Sequence, residues 1–175
     1  KGTFSSIHKC VNLENGTVVA AKVELGTFQQ SGVLDVEATV FDYLYKATPA
    51  GTVPKYFGHY KSDRFASILM DYLPGEDIHK LRERIMNNQN HNRTRRVSVE
   101  DAVFVTADVM LPLLKSMHHV GIVHRDVKPS NVVRKATDSR DFCIVDFGLS
   151  KSVIVAEDSD FCDKEHPWER GWLKP

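Results

Sequence analysis

The stretch His124-Arg125-Asp126-Val127-Lys128-Pro129-Ser130-Asn131 puts a carboxylate, an ammonium and a carboxamide close together, and a second carboxylate follows fifteen positions after Asn131, in Asp146-Phe147-Gly148. Together these residue types have a chemistry. A carboxylate can accept a proton from a hydroxyl. An ammonium can neutralise charge that develops on a reacting group. Carboxylate and carboxamide oxygens are the hard donors that a cation such as magnesium takes. A single Asp on a loop is ordinarily a turn former or a helix cap; four such groups in this order and spacing are a pattern that turn chemistry does not supply.

Something must position these groups. Residues 7–13 and 17–23 flank Glu14-Asn15-Gly16, and Asn-Gly between strand-like runs predicts a hairpin, because both residues tolerate positive φ. Lys22 lies near the end of its second strand. Val33, Val36, Val40, Phe41 and Leu44 recur at helical spacing, and that helix carries Glu37, fifteen residues after Lys22, and ends at Thr48-Pro49-Ala50-Gly51. Two more strands are predicted near 55–60 and 65–72, around the polar turn Lys61-Ser62-Asp63-Arg64. Pro74-Gly75 then divides a region of strands plus one helix from a mainly helical one, giving units 1–73 and 74–175.

Beyond the break, 77–86 reads as a short helix, and the polar, basic stretch 87–96, with Arg93-Thr94-Arg95-Arg96, as a solvated insertion. Ser98 with Asp101 forms a variant capping box. The stripe Val99, Ala102, Val103, Thr106, Val109, Met110, Leu113, Met117 continues one helix to His118 and reads as core, with a kink predicted at Pro112. Residues 132–134 and 142–145 look like a strand pair presenting Asn131 at one end and Asp146 at the other.

The bulk properties are those of an ordinary soluble chain: 175 residues, Lys+Arg 23 against Asp+Glu 23, and 42% hydrophobic residues. Nothing in this balance calls for nucleic acid or a membrane, and no apolar run reaches the length of a bilayer span. Cys10, Cys143 and Cys162 form neither a disulfide framework nor a zinc pattern, which points to a reducing, intracellular compartment. Cys143 lies in an apolar run and reads as core; Cys162 with His166 makes no convincing metal pair, and the acidic tail 153–169 reads as solvated.

The motifs H-R-D-x-K-x-x-N and D-F-G resemble those of eukaryotic protein kinases of the serine/threonine type, which Lys128 favours. Gly2-Thr3-Phe4-Ser5-Ser6-Ile7 resembles the tail of the glycine-rich loop, with Ser5 where the third Gly is expected. Ala20-Ala21-Lys22 stands where V-A-I-K would. Ala21-Lys22-Val23-Glu24, Ser62-Asp63-Arg64-Phe65 and Ser116-Met117-His118-His119-Val120-Gly121 look like the casein kinase one and tau-tubulin kinase group, while the cell-division-cycle kinases share a similar G-T-F-S-S. The resemblance implies an α+β bilobal fold, a small mostly antiparallel sheet lobe with one helix and a truncated, mainly helical lobe. It implies ATP and Mg2+ as cofactors and a protein bearing a Ser or Thr hydroxyl as partner. Asp126 would then accept the hydroxyl proton and Lys128 sit by the transferring phosphate. Asn131 and Asp146 would hold the metal. Gly2 and Ser5 would face phosphate, and Lys22, paired with Glu37, would contact the α- and β-phosphates. Ile7, Ala20 and Val133 would sandwich adenine, with Met70 behind it and the Asp71 to Leu73 backbone bonding it. His124, Phe147, Phe41 and either Tyr56 or Phe57 would stack into one column.

The chain opens inside a motif and contains no A-P-E, so it reads as part of a kinase domain without the buried helix of the lower lobe. On that reading the 175-residue piece is catalytically poor and marginally stable. Two rivals stand beside this. One is a pseudokinase scaffold, against which the intact Lys22, Asp126, Asn131 and Asp146 argue. The other is a small-molecule kinase of the aminoglycoside phosphotransferase type, which tends to have H-G-D where this chain has His124-Arg125-Asp126.

Overall fold

The computed structural model describes residues 5–25, 32–88 and 97–153. Gly2, the basic cluster 93–96, Cys162 and the acidic tail beyond 153 lie outside them. The architecture is mixed α+β: a four-stranded antiparallel sheet with one helix, then a helical portion.

Strands β1 (Ser5–Val11) and β2 (Val18–Leu25) form the expected hairpin, but not through a two-residue Asn-Gly turn. The Asn12 backbone N–H donates to the Thr17 carbonyl at 2.8 Å, and the carboxamide oxygens of Asn12 and Asn15 accept from the backbone of Glu14 and Thr17. Only Gly16 in this turn has positive φ, at 72°. Two side-chain-closed turns stabilise a wider loop than the dipeptide alone suggests.

Helix α1 (Gly32–Ala47) buries Leu34, Glu37, Ala38, Phe41 and Leu44, the i, i+3, i+4, i+7 stripe of an amphipathic helix. Val36, expected on this face, points outward and is 57% exposed, because the buried stripe is phased on Leu34, Glu37, Phe41 and Leu44; the Val33 side chain lies outside the described ones. The helix stops where the Thr48 hydroxyl and N–H both turn back onto the Leu44 carbonyl, just before Pro49.

Strands β3 (Tyr56–Lys61) and β4 (Phe65–Asp71) complete the sheet in the order β1-β2-β4-β3. Ile7 lies opposite Lys22, Lys22 opposite Ile68, and Ala20 opposite Met70. Since opposed residues share a face and side chains alternate along a strand, Ile7, Ala20, Lys22 and Met70 all present to one side of the sheet. After Pro74-Gly75 the chain runs along strand β6 (Val132–Arg134): Asp77 bridges Val133, and the Arg134 N–H donates to the Glu76 carbonyl at 3.0 Å. The Asp77 carboxylate then caps α2 (Ile78–Asn88) by accepting from the Lys80 N–H.

The single helix expected over 98–118 is three pieces. Ser98 caps α3 (Val99–Val103), its hydroxyl oxygen accepting from the Asp101 N–H and donating to the Asp101 carboxylate. A π-helical stretch, Phe104–Met110, follows, and α4 (Leu111–His119) resumes with Pro112 in its first turn. A proline inside a continuous helix would clash with the carbonyl four residues back; widening the preceding turns moves Pro112 to a helix start, where its missing donor costs nothing. Of the stripe read as core, Val109 and Met117 are buried and Met110 and Leu113 half-buried, whereas Val99, Val103 and the neighbouring Leu111 are 75%, 56% and 56% exposed.

Short pairings frame the loops that matter. β6 pairs with β7 (Phe142–Ile144), as expected, and β5 (Ile122–Val123) pairs with β8 (Lys151–Ser152), a pairing not anticipated from the sequence. Among the described residues no helix is long and apolar enough to cross a membrane.

Candidate catalytic cleft

Lys22 is the centre of the site. Its Nζ lies 2.6 and 2.7 Å from the two oxygens of Glu37 and 2.8 Å from Asp146 Oδ1. Lys22 and Glu37 are buried, brought together because the inward stripe of α1 packs on the same sheet face that carries Lys22. Burial alone would push the ammonium toward neutrality; the Glu37 carboxylate and the bonds to Asp146 and Glu37 outweigh it and hold Lys22 protonated above its ordinary range. Burial, with the Asp146 charge adding to it, pushes the Glu37 carboxyl upward against the pull of Lys22. Glu24, the other acid near Lys22 in sequence, is not its partner.

Asp146 reaches Lys22 from a strained backbone. Its φ is 70°, a left-handed conformation that non-glycine residues seldom adopt. The turn is tight at Gly148, two residues on: a Cβ there would sit 3.3 Å from Glu37 Oε2, so that carboxylate would have to give by a few tenths of an ångström. Phe147 between them is buried at 1% exposure. It packs against Phe41 at 5.1 Å with the rings tilted by 50° and edge-on against His124 at 5.8 Å, and Phe41 meets Tyr56 edge-on at 5.2 Å. The column is therefore built with Tyr56; Phe57, its neighbour, is 39% exposed. An irregularity in the β3–β4 register between Tyr56 and Gly58 sets which of the two faces inward.

The loop 124–131 is tied together at three points. His124 Nε2 donates to the Val145 carbonyl at 3.0 Å, so its Nδ1 accepts from the Asp126 N–H at 3.2 Å. The Asn131 carboxamide donates to the Asp126 carbonyl and to its Oδ2, at 2.9 and 3.1 Å. Lys128 Nζ donates to the same Oδ2 at 2.5 Å. The Lys128 bond, helped by Asn131 and opposed by partial burial, holds the Asp126 carboxyl below the ordinary carboxylate range; the same bond raises Lys128. The Val145 N–H donates to the Asn131 carbonyl at 2.9 Å and brings the two loops side by side. Among the described residues, Asn131 Oδ1 and Asp146 Oδ2 have no side-chain partner: one carboxamide and one carboxylate oxygen remain for a hard cation.

The remaining expected residues are placed as follows. Ala20 is buried, Met70, Asp71, Leu73 and Val133 are half-buried, Ile7 is 68% exposed on the same sheet face, and Ser5 opens β1. Gly2 lies outside the described residues. Sequence reasoning did not find that Asp146 is a second partner of Lys22, or that Arg125, itself at positive φ (64°), donates from Nε to the Leu149 carbonyl at 2.5 Å. The proximity of Asp146 to Lys22 has no signal in local spacing, because 124 residues separate them.

A protein kinase domain family model matches residues 1–166. Similar curated proteins include a serine/threonine-protein kinase of Arabidopsis thaliana, 33% identical over 104 residues that make up 59% of this chain and 19% of that protein. A protein kinase of Phaseolus vulgaris is 32% identical over 105 residues, 59% of this chain and 15% of its own. A putative serine/threonine-protein kinase of Caenorhabditis elegans is 27% identical over 164 residues, 92% of this chain and 43% of its own. The chain thus spans less than half the length of these relatives. None of these names supports the casein kinase one and tau-tubulin kinase flavour.

Proposed function

Since this chain belongs to the protein kinase domain family, we propose that the protein containing it transfers the γ-phosphoryl group of ATP to Ser or Thr hydroxyls of other proteins. The observation that carries this is the assembled charge cluster: Lys22 bound by Glu37 and Asp146 at 2.6–2.8 Å, beside a loop in which Asp126, Lys128 and Asn131 bond one another. In this reading, residues 1–73 hold the nucleotide and 74–175 supply the loop that acts on it. Ile7, Ala20 and Val133 contact the adenine, with Met70 behind it and the Asp71–Leu73 backbone as bonding partner. Gly2 and Ser5 approach the phosphates.

Asp126 aims the acceptor hydroxyl and takes its proton; its lowered pKa keeps it ionised and able to accept. Lys128 bridges Asp126 and the transferring group as a point charge. Lys22 orients the α- and β-phosphates, and Glu37 holds Lys22 in place. Asn131 Oδ1 and Asp146 Oδ2 would hold Mg2+, a fit to an ion that takes one or two protein oxygens and completes its shell with water and phosphate. That ion supplies charge neutralisation on the phosphates when bound.

The test is Asp126→Ala in the full-length protein, assayed with Mg-ATP on protein and on small-molecule acceptors. Turnover on protein Ser/Thr should fall by roughly two to four orders of magnitude, as for loss of a general base and positioning group. Unchanged turnover, or a parent enzyme active only on small molecules, rejects the assignment.

A further inference from the structure

A cavity of about 340 Å³ lies away from this cluster, walled by the loop after α1, by the segment Asp71–Leu73 and by Lys135 and Cys143. It shares the segment Asp71–Leu73 with the nucleotide set and nothing else of it. Its size falls within the range of small-molecule pockets, about 300–1,000 Å³. Val53, Pro54, Leu73 and Cys143 make it largely apolar, and Tyr45 stands at its edge. Burial pushes the Cys143 thiol up to about 12, so this wall carries no charge.

The polar groups are few and unequal. Asp71 lends a carboxylate oxygen to the Lys55 N–H at 3.2 Å. The Lys55 ammonium lies over the Phe57 ring, 5.1 Å from its centroid. Lys135 is different. Its ammonium rests against Gly51, in the space a side chain there would need: a Cβ would come within 2.1 Å of Nζ. No carboxylate among the described residues pairs with it. Lys135 is half-buried and its ammonium still meets water, so at the mouth of a mainly apolar wall it can take an anion on the side away from the Asp71 carboxylate. The glycine at 51, with φ of 88°, is what makes room for it.

We propose that this cavity is a binding site for a small molecule that joins an apolar body to one carboxylate, the body lying against Val53, Pro54 and Leu73 and the carboxylate meeting Lys135. Its wall is the segment that would also bond adenine, so occupancy reaches the nucleotide site through Asp71–Leu73 without blocking it. The inference does not depend on phosphoryl transfer.

The probe is 4-(trifluoromethyl)phenylacetate, followed by fluorine NMR on the full-length protein, with the uncharged 4-(trifluoromethyl)phenylacetamide as control. The carboxylate should bind with Kd of ~1 mM or tighter, and the amide about tenfold more weakly. Lys135→Met should erase that preference. Binding should persist when the cleft is saturated with a non-hydrolysable ATP analogue. No binding of the carboxylate, equal binding of the amide, or complete competitive displacement by the nucleotide overturns the proposal. So does an unchanged preference in Lys135→Met. The amide comparison needs no variant and decides the matter even if Lys135→Met does not fold.

Discussion

Asp126 is reached by two donors at one oxygen, Lys128 at 2.5 Å and Asn131 at 3.1 Å, and the proposed role in taking a substrate proton falls to the other. The Lys128 bond is the larger cause of its lowered pKa. Removing Lys128 therefore disfavours the carboxylate, and the Asp126 pKa should rise toward its ordinary value. A base must be ionised to act, so activity is present above its pKa and lost as pH falls through it. The acid limb of kcat/KM should move to higher pH in Lys128→Met, in addition to any fall in rate. A pH–rate profile of the two proteins checks this; a limb that stays put would mean that Lys128 does not set the protonation of Asp126. The same residue-level reading explains Asp146. The energy of a left-handed backbone at a non-glycine position, roughly 1–3 kcal/mol, is offset locally by the bond to Lys22 and by Phe147 locked between Phe41 and His124.

At the scale of elements, the crossing from sheet to helices is a close backbone approach. A Cβ on Gly75 would lie 2.3 Å from the Arg134 carbonyl oxygen, so one of the two segments must move if Gly75 becomes Ala. Because Asp77 bridges Val133 just beyond, the displacement falls on a residue proposed to contact adenine. Gly75→Ala should cost about 1–3 kcal/mol by urea denaturation, as for an overpacked site, and weaken nucleotide binding with it. Equal stability would show that the joint is looser than it looks. The elements themselves were largely legible in the sequence. Lys22 and Glu37 could be paired because each sits on a strongly patterned element and the motifs name their roles. Three things could not be read. Tyr56 and Phe57 are adjacent aromatics on one strand, and which faces inward depends on a register irregularity that alternation does not reveal. Pro112 announces a broken helix, but not that the break is spread over seven π-helical residues upstream. The turn at Asn15-Gly16 is closed by Asn12, a residue outside the dipeptide signal.

For the molecule as a whole, the buried cluster runs from Leu34 and Phe41 on α1 through Phe147 to Met117 on α4, and among the described residues it leaves Val99, Val103 and Leu111 of the helical portion exposed. Periodicity marked Val99, Val103, Val109 and Met117 alike as core, since spacing reports a shared face and not what lies over it. The structure separates them: Met117 is fully buried, whereas Val99 and Val103 are 75% and 56% exposed. The separation predicts opposite consequences in the 175-residue chain. Met117→Ala removes side-chain atoms from a filled interior and should cost about 2–5 kcal/mol. Val99→Ser takes nothing from the interior and should change stability by no more than about 0.5 kcal/mol. The exposed Val99, Val103 and Leu111 should also make this chain bind an apolar dye in its folded state and melt over a broad range. Burying each such side chain is worth about 1.5–3 kcal/mol, and a domain has only about 5–15 kcal/mol in all. Denaturation of the two variants and dye fluorescence below the melt decide the matter. A costly Val99→Ser, or a sharp melt without dye binding, would mean that this face is covered.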